Sequence, residues 1–347
     1  MNARPEKILA IQFKYLGDAV FMVPALRALR EHLPDCELHV LVAAEAAPVL
    51  EYLPWLTKVW PMPRTRGKAR FHESWPIIRA LRRKRFDFSV DFVGNDRGAI
   101  LSFLCGARER LGTLERGWWG RKFCYTQTVP AETLPDSWVC RHIALLSARR
   151  IPPPKSAHLE VYADPGLSGE AASLLPDARV ICHLTTSQPK KEWPVSHWAE
   201  LYRLAAAAGY TLAFSSGTNP RERALLDKLK ALEPGIVALP PTPDLRLFLA
   251  ILKRAQLLVA GDTGPLHFAA ALGVPVIGLF TIGDSLLRTA PIYQKEHVIV
   301  GGACICDTRF LDSSICQEAH PCMESIQPYQ VLQRLDRILG VAGKIGR

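Results

Sequence analysis

No stretch of about 18 consecutive apolar residues occurs in this chain of 347, so no membrane-spanning helix is expected. The opening residues, Met1-Asn2-Ala3-Arg4-Pro5-Glu6-Lys7, lack the build of a secretory leader, and a cytosolic location is the expectation. Internal repeats and low-complexity tracts are missing too, which excludes solenoids and disordered linkers. Aromatic residues make up only 8%, with no stacking platform or reading helix, so nucleic-acid binding is not expected. What remains is an ordinary globular composition, 48% hydrophobic and 22% charged, in a chain long enough for two domains.

The net charge of +10 is unevenly spread. Residues 1–165 hold 25 Lys/Arg against 17 Asp/Glu, an excess of 8, and the remainder 18 against 16, an excess of 2. Such asymmetry points to an anionic partner or to a basic solubilising face. The run Arg64-Thr65-Arg66-Gly67-Lys68-Ala69-Arg70 carries four cations in seven residues.

Of nine cysteines, five (Cys36, Cys105, Cys124, Cys140, Cys182) are scattered and read as free thiols. Cys304, Cys306, Cys316 and Cys322 cluster. Four thiols so placed can hold a structural zinc or iron, with His320 as a substitute ligand. The C-x-C opening is poorer than C-x₂-C, and unbound or disulfide-paired thiols are the other reading.

The pattern along the chain is α/β. Lys7–Phe13 reads as a buried strand, Val20–Leu33 as a helix containing Pro24, Glu37–Ala44 and Phe86–Phe92 as strands, and Arg97–Cys105 as a helix. Around residues 149–165 the texture changes, and Pro152-Pro153-Pro154 marks a linker. Strands at Val180–Leu184, Thr211–Ser215, Leu257–Ala260 and Val274–Phe280 then alternate with helices at Val195–Ala208, Arg221–Leu232, Leu245–Arg254 and after Gly264. An amphipathic helix over Pro328–Leu339 closes the chain. Two such units are expected to face each other across a cleft between strand C-terminal ends, where open parallel sheets bind ligands.

Three strand-to-helix turns carry chemistry. In Leu16-Gly17-Asp18, the glycine permits a tight turn, and the carboxylate stands at the mouth of the cleft. Asp18 is either a base for an attacking hydroxyl or a cap for the next helix. Thr185-Thr186-Ser187-Gln188-Pro189-Lys190-Lys191-Glu192-Trp193-Pro194 offers hydroxyls, two lysines and a helix start, the makings of a pyrophosphate site or of a solvated basic loop. Gly261-Asp262-Thr263-Gly264-Pro265-Leu266-His267 opens a small-residue helix whose amides suit an anion. Asp262 suits sugar hydroxyls. His267 is either part of that site or a satisfied core residue. The dinucleotide pattern G-x-G-x-x-G is absent.

At these residues the chain resembles glycosyltransferase family 9, the lipopolysaccharide heptosyltransferases. Ile8–Pro24 resembles the family's first strand, L-G-D turn and proline-bearing helix. Asp91–Gly112 resembles its acidic–Arg–small segment, Thr185–Glu200 its K-x-W-P donor loop, and Gly261–Phe280 its D-T-G-x-x-H helix and following strand. The resemblance implies a GT-B fold of two Rossmann-like domains: an acceptor domain over 1–160, a nucleotide-sugar domain over 161–325, and a C-terminal helix over 326–347 packing back toward the first. It implies inverting transfer from an ADP-linked heptose to the lipopolysaccharide inner core, with no cofactor for the chemistry. Transfer to a protein or another glycan is the alternative within the class, and a non-catalytic sugar-nucleotide binder the alternative outside it.

Carried over motif by motif, Asp18 is the general base. Thr185, Thr186 and Lys191 (or Lys190, if the loop is shifted) hold the donor phosphates. Asp262, Thr263, Gly264 and His267 line the donor pocket, and Glu222 lies near the nucleoside. Gly17, Arg64, Arg66 and Arg97 meet a phosphorylated glycolipid acceptor. Peripheral association with the inner face of the cytoplasmic membrane follows from such an acceptor.

Overall fold

The computed structural model describes residues 5–13, 16–63, 71–114, 119–175, 180–281, 284–302 and 321–345. The chain divides into two compact units, Met1–Tyr162 and Ala163–Arg347. No helix among the described residues is long and apolar enough to cross a membrane.

The first unit is built from β1 (Lys7–Gln12), α1 (Leu16–Phe21), α2 (Val23–His32), β2 (Glu37–Ala43), β3 (Lys58–Met62), α3 (Phe71–Lys84), β4 (Phe88–Asp91), α4 (Asp96–Cys105), β5 (Glu109–Leu114), β6 (Gln127–Pro130) and α5 (Trp138–Leu146). Its six strands are all parallel, in the order β3-β2-β1-β4-β5-β6. Ile8, Leu9, Ala10 and Ile11 are fully buried, as a central strand covered on both faces requires.

The single helix expected over Val20–Leu33 is two. The first ends at Phe21 and the second begins at Val23, with Pro24 in its first turn. Proline has no amide to donate and clashes with the preceding turn, so it starts a helix instead of continuing one. The segment after α5 lacks regular structure from Ile151 to Asp164 and lies along the first unit. There Lys155 N donates to Glu31 Oε2 at 2.9 Å, and Glu160 bonds Arg27.

The second unit runs α6 (Ser168–Leu174), β7 (Val180–His183), α7 (Val195–Ala207), β8 (Leu212–Ser215), α8 (Pro220–Leu232), β9 (Val237–Ala238), α9 (Leu245–Arg254), β10 (Leu257–Gly261), α10 (Gly264–Ala271), β11 (Val276–Phe280), α11 (Asp284–Thr289), β12 (Val298–Val300), α12 (Pro321–Glu324) and α13 (Pro328–Ile345). Its sheet order, β12-β11-β10-β7-β8-β9, is the same topology read from the other edge. In each unit the first and fourth strands are neighbours, and the connections leave them in opposite directions. That point in a doubly wound sheet opens a crevice at the strand C-termini. The helix α13 packs on α7, and Tyr210 Oη donates to Asp336 Oδ1 at 2.6 Å.

His183, the last residue of β7, is buried and shares a 2.9 Å hydrogen bond with Ser215 Oγ, its register partner on β8. Burial lowers its pKa from 6.5 to about 4. The unfolded chain therefore takes up a proton below pH 6.5 that the folded chain refuses until about pH 4. The residue's stabilising effect is present above the higher value and lost as pH falls to the lower, about 3 kcal/mol in all. His183→Gln keeps a partner for Ser215 but cannot titrate. By urea unfolding, the stability gap between wild type and His183→Gln is expected to shift by about this amount, in the variant's favour, across that acidic range. A gap independent of pH would mean that His183 is not held neutral.

Candidate functional site

The crevice of the second unit lies where β7 and β10 end. The loop after β7 is held by its own side chains. Thr185 Oγ1 accepts from Gly217 N at 2.9 Å, and Thr186 N donates to Glu192 Oε1 at 3.0 Å. Arg221, in the first turn of α8, donates through Nη1 to Glu192 Oε2 at 2.9 Å and through Nη2 to Thr186 O at 2.7 Å. Trp193 anchors the far end. Its Nε1 donates to Ile326 O at 2.8 Å, and its ring meets Trp198 edge-on at 4.8 Å. Gly261 lets β10 close on this loop, because a Cβ there would stand 2.9 Å from Lys191 O and 3.1 Å from Thr186 Cγ2.

From that fixed loop Lys191 reaches across. Its Nζ lies 2.5 Å from Asp262 Oδ2. Asp262 Oδ1 accepts from Thr289 Oγ1 at 2.8 Å, and His267 Nε2 is 3.5 Å from the same oxygen. Burial by itself would raise the Asp262 pKa. The His267 contact and the Lys191 charge outweigh it and hold the carboxyl well below the usual carboxylate range. Thr263 stands just before α10, its side chain making no capping hydrogen bond, and Gly264 begins the helix, with Pro265 in the first turn. The structure thus brings Lys191, Asp262 and His267 together beside Thr186 and a helix start. It is Lys191 that meets Asp262. Glu222 turns its carboxylate onto Gly217, where a Cβ would overlap it, and lies 3.5 Å from Arg221.

In the first unit the crevice falls between β1 and β4. Gly17 is buried and Asp18 half-buried in the first turn of α1, just beyond β1. Asp91 ends β4 and is fully buried. It accepts from Tyr125 Oη at 2.5 Å and from Val93 N at 2.8 Å. Burial pushes its pKa up to about 6, against the pull of Tyr125, the Val93 and Gly94 amides and Arg121. Gly98 lies so close that a Cβ would overlap the carboxylate. Buried Arg121 donates to Gly94 O at 2.7 Å and through Nη2 to Asp96 Oδ1 at 2.6 Å. Arg97 lays its guanidinium over the Phe13 ring, 5.0 Å from the centroid.

Arg64, Arg66, Cys304, Cys306 and Cys316 lie outside the described residues, and Cys322 is packed in the apolar core of the second unit. Sequence reasoning did not single out Thr289 or Arg221, and it named Asp91 only as the start of the Asp91–Gly112 segment, with no role of its own. Asp91 had one signal, an acid at a strand end followed by Gly94 and Gly98.

Two doubly wound domains, one with a Lys–Asp–His cluster at its topological switch point, define a protein of the GT-B class. The chain belongs to glycosyltransferase family 9 (heptosyltransferase), whose sequence profile matches residues 74–319. It is 26% identical over 356 residues to lipopolysaccharide heptosyltransferase 2 of Salmonella typhimurium, covering 97% of this chain and 99% of that one. Among solved structures, a family 9 glycosyltransferase from Veillonella parvula superposes with a TM-score of 0.82 at 18% identity, covering 96% of this chain and 97% of that one. The Escherichia coli ADP-heptose lipopolysaccharide heptosyltransferase II superposes with a TM-score of 0.78 at 21% identity, covering 97% and 99%. At such identities the structural likeness carries the fold.

Lys191→Met would leave Asp262 buried without its cation. A loss of about 2–4 kcal/mol in the second unit is expected by urea unfolding, and much of it should return in Lys191→Met/Asp262→Asn. A loss in the double variant equal to the sum of those in Lys191→Met and Asp262→Asn would mean that the two groups do not interact.

Proposed function

We propose that this protein transfers a heptose from ADP-heptose, with inversion, to a hydroxyl of the lipopolysaccharide inner core. The observation that carries the reading is the Lys191–Asp262–His267 cluster at the β7/β10 crevice, in a chain of this family. Residues 161–325 bind the donor. Lys191, the Thr185 and Thr186 segment, Thr263 and the Gly264 amide at the start of α10 hold its diphosphate, where both the ammonium and the helix terminus favour negative charge. Asp262 and His267 take the sugar hydroxyls, and Glu222 lies toward the nucleoside. Residues 1–160 bind the acceptor, with Gly17, Arg64, Arg66 and Arg97 at its phosphorylated groups.

Asp18 is the general base. It accepts the proton of the acceptor hydroxyl as that oxygen attacks the anomeric carbon, opposite the departing ADP. The carbon–oxygen bond to the diphosphate breaks as the new glycosidic bond forms. Negative charge grows on the leaving group, and Lys191 with the α10 terminus stabilises it more in the transition state than in the ground state. This placement of charge asks no metal of the chemistry, and any metal on the cysteine cluster is structural. A lipid-linked acceptor places the reaction at the cytoplasmic face of the inner membrane, with the protein bound peripherally.

Asp18→Asn is expected to lower turnover about a hundred- to ten-thousandfold while ADP binding by calorimetry is unchanged. Near-normal turnover would remove Asp18 from the mechanism. Brief EDTA treatment is expected to leave turnover intact, and restoration by added Mg²⁺ after such treatment would overturn the metal-free chemistry. ADP-heptose turnover on a protein or an unrelated glycan but not on core acceptors would transfer the reading to those substrates.

A further inference from the structure

Among the described residues eleven large apolar side chains are exposed, and three of them, Ile100 (41%), Phe103 (52%) and Phe123 (63%), sit on adjoining segments of the first unit. Ile100 and Phe103 are three residues apart on α4 and therefore share a side of the helix. Phe123 belongs to the short turn over Trp119–Cys124, which packs on α4 through Ala99, Cys124 and Tyr125. Arg110 bridges the two. Its Nε donates to Cys124 O at 2.8 Å, and its guanidinium stands 5.8 Å from the Phe103 ring.

Cations border the rings. Lys122 Nζ is 5.1 Å from the Phe123 centroid. Arg82 lies across Gly106 at the end of α4, with Nη1 3.3 Å from Leu104 O, and Arg108 is exposed just beyond. Among the described residues the neighbouring acids Asp96 and Glu109 are already matched, by Arg121 and Arg149. The face thus joins protruding aromatic and aliphatic groups to unneutralised positive charge.

We propose that this α4–turn face docks on an anionic phospholipid surface, with Ile100, Phe103 and Phe123 entering the headgroup–acyl boundary and Lys122, Arg110, Arg108 and Arg82 meeting lipid phosphates. The charge complementarity selects the lipid. A basic-rimmed apolar projection matches a layer that is anionic at its surface and apolar beneath, and long cationic side chains keep their charge at headgroup level while their stems lie along apolar surface. The inference deepens the proposed use of a lipid-linked acceptor by naming the surface that delivers the protein to it.

The test is co-sedimentation of the full-length protein with phosphatidylcholine vesicles, with and without phosphatidylglycerol, for wild type, Phe103→Ser/Phe123→Ser and Lys122→Glu. Circular dichroism and ADP binding establish that each variant is folded. Wild type is expected to bind the anionic vesicles, less so as salt is raised. Phe103→Ser/Phe123→Ser is expected to partition at least about tenfold more weakly, a change of about 1.4 kcal/mol, and Lys122→Glu measurably so. Turnover of all three on a deacylated, water-soluble core acceptor is expected to be unchanged.

Equal vesicle binding by wild type and the double variant would overturn the assignment of this face and leave the acceptor reading standing. Loss of turnover on core acceptors by wild type would sink the acceptor reading, whatever the vesicles show. A lipid-free wild-type dimer that Phe103→Ser/Phe123→Ser dissociates would make the face a contact between copies, and would also overturn the proposal.

Discussion

The ion pair between Lys191 and Asp262 ties together the two loops that form the crevice of the second unit. Each partner comes from a different strand end, and neither could be placed without the packing behind it. Lys191 is aimed by a loop whose amides and hydroxyls are already matched, through Glu192, Arg221 and Gly217. Asp262 is aimed by β10, which reaches the loop only because residue 261 has no side chain. A pair buried this deeply is poor evidence for stability, since desolvation offsets most of the attraction. Its interest lies in poise. The carboxylate is held ionised and both groups are fixed by the loops that carry them, so on the proposed reading an arriving diphosphate meets a site that needs little reorganisation.

The two units solve the same topological problem with opposite electrostatics. Asp91 ends the fourth strand of one sheet, and Asp262 follows the fourth strand of the other. Both carboxylates are buried beside the turn into the next helix. Asp262 has a lysine at 2.5 Å and is held ionised. Asp91 has hydroxyl and amide donors instead, and burial wins, lifting it to about 6. The first arrangement is the one proposed to meet the donor. The second holds a turn, since its donors come from Val93 and Tyr125 and its close neighbour is the first turn of α4. The same strand position thus carries an ion pair in one unit and a hydroxyl-and-amide network that holds a turn in the other, according to what lies within hydrogen-bond reach.

The same distinction explains what could be read from sequence. The central strands were legible because parallel strands covered on both faces are continuous apolar runs, as in Lys7–Gln12 and Leu257–Gly261. The edge strands β3 and β6 were not, because Lys58–Met62 and Gln127–Pro130 are half-exposed and contain proline, which leaves neither a run nor an alternation. The Asp262–His267 part of the site was legible because one turn and one helix start carry it in consecutive residues. Thr289 and Arg221 were not, because each reaches its partner through the fold, across 27 and 35 residues respectively. The Val20–Leu33 reading failed on a single residue, since Pro24 belongs to a helix start and the apolar spacing on either side concealed it.

The charge excess of the first half also changes meaning once the side chains are placed. A count of arginines treats each as available to an anionic partner, yet Arg121 is buried and committed to Gly94 and Asp96, and Arg149 to Glu109. Arg97 lies over Phe13, so its charge is presented from an aromatic shelf instead of a free stem. Five exposed arginines, Arg79, Arg82, Arg83, Arg85 and Arg108, lie on or just past α3 and just past the end of α4. Part of the basic character therefore builds the scaffold, part is positioned beside the β1/β4 crevice, and among the described residues Arg82 and Arg108 border the apolar projection of α4. Composition reports only their sum. The separation into structural, site-directed and surface-directed charge is what gives the sign of the whole chain a physical meaning.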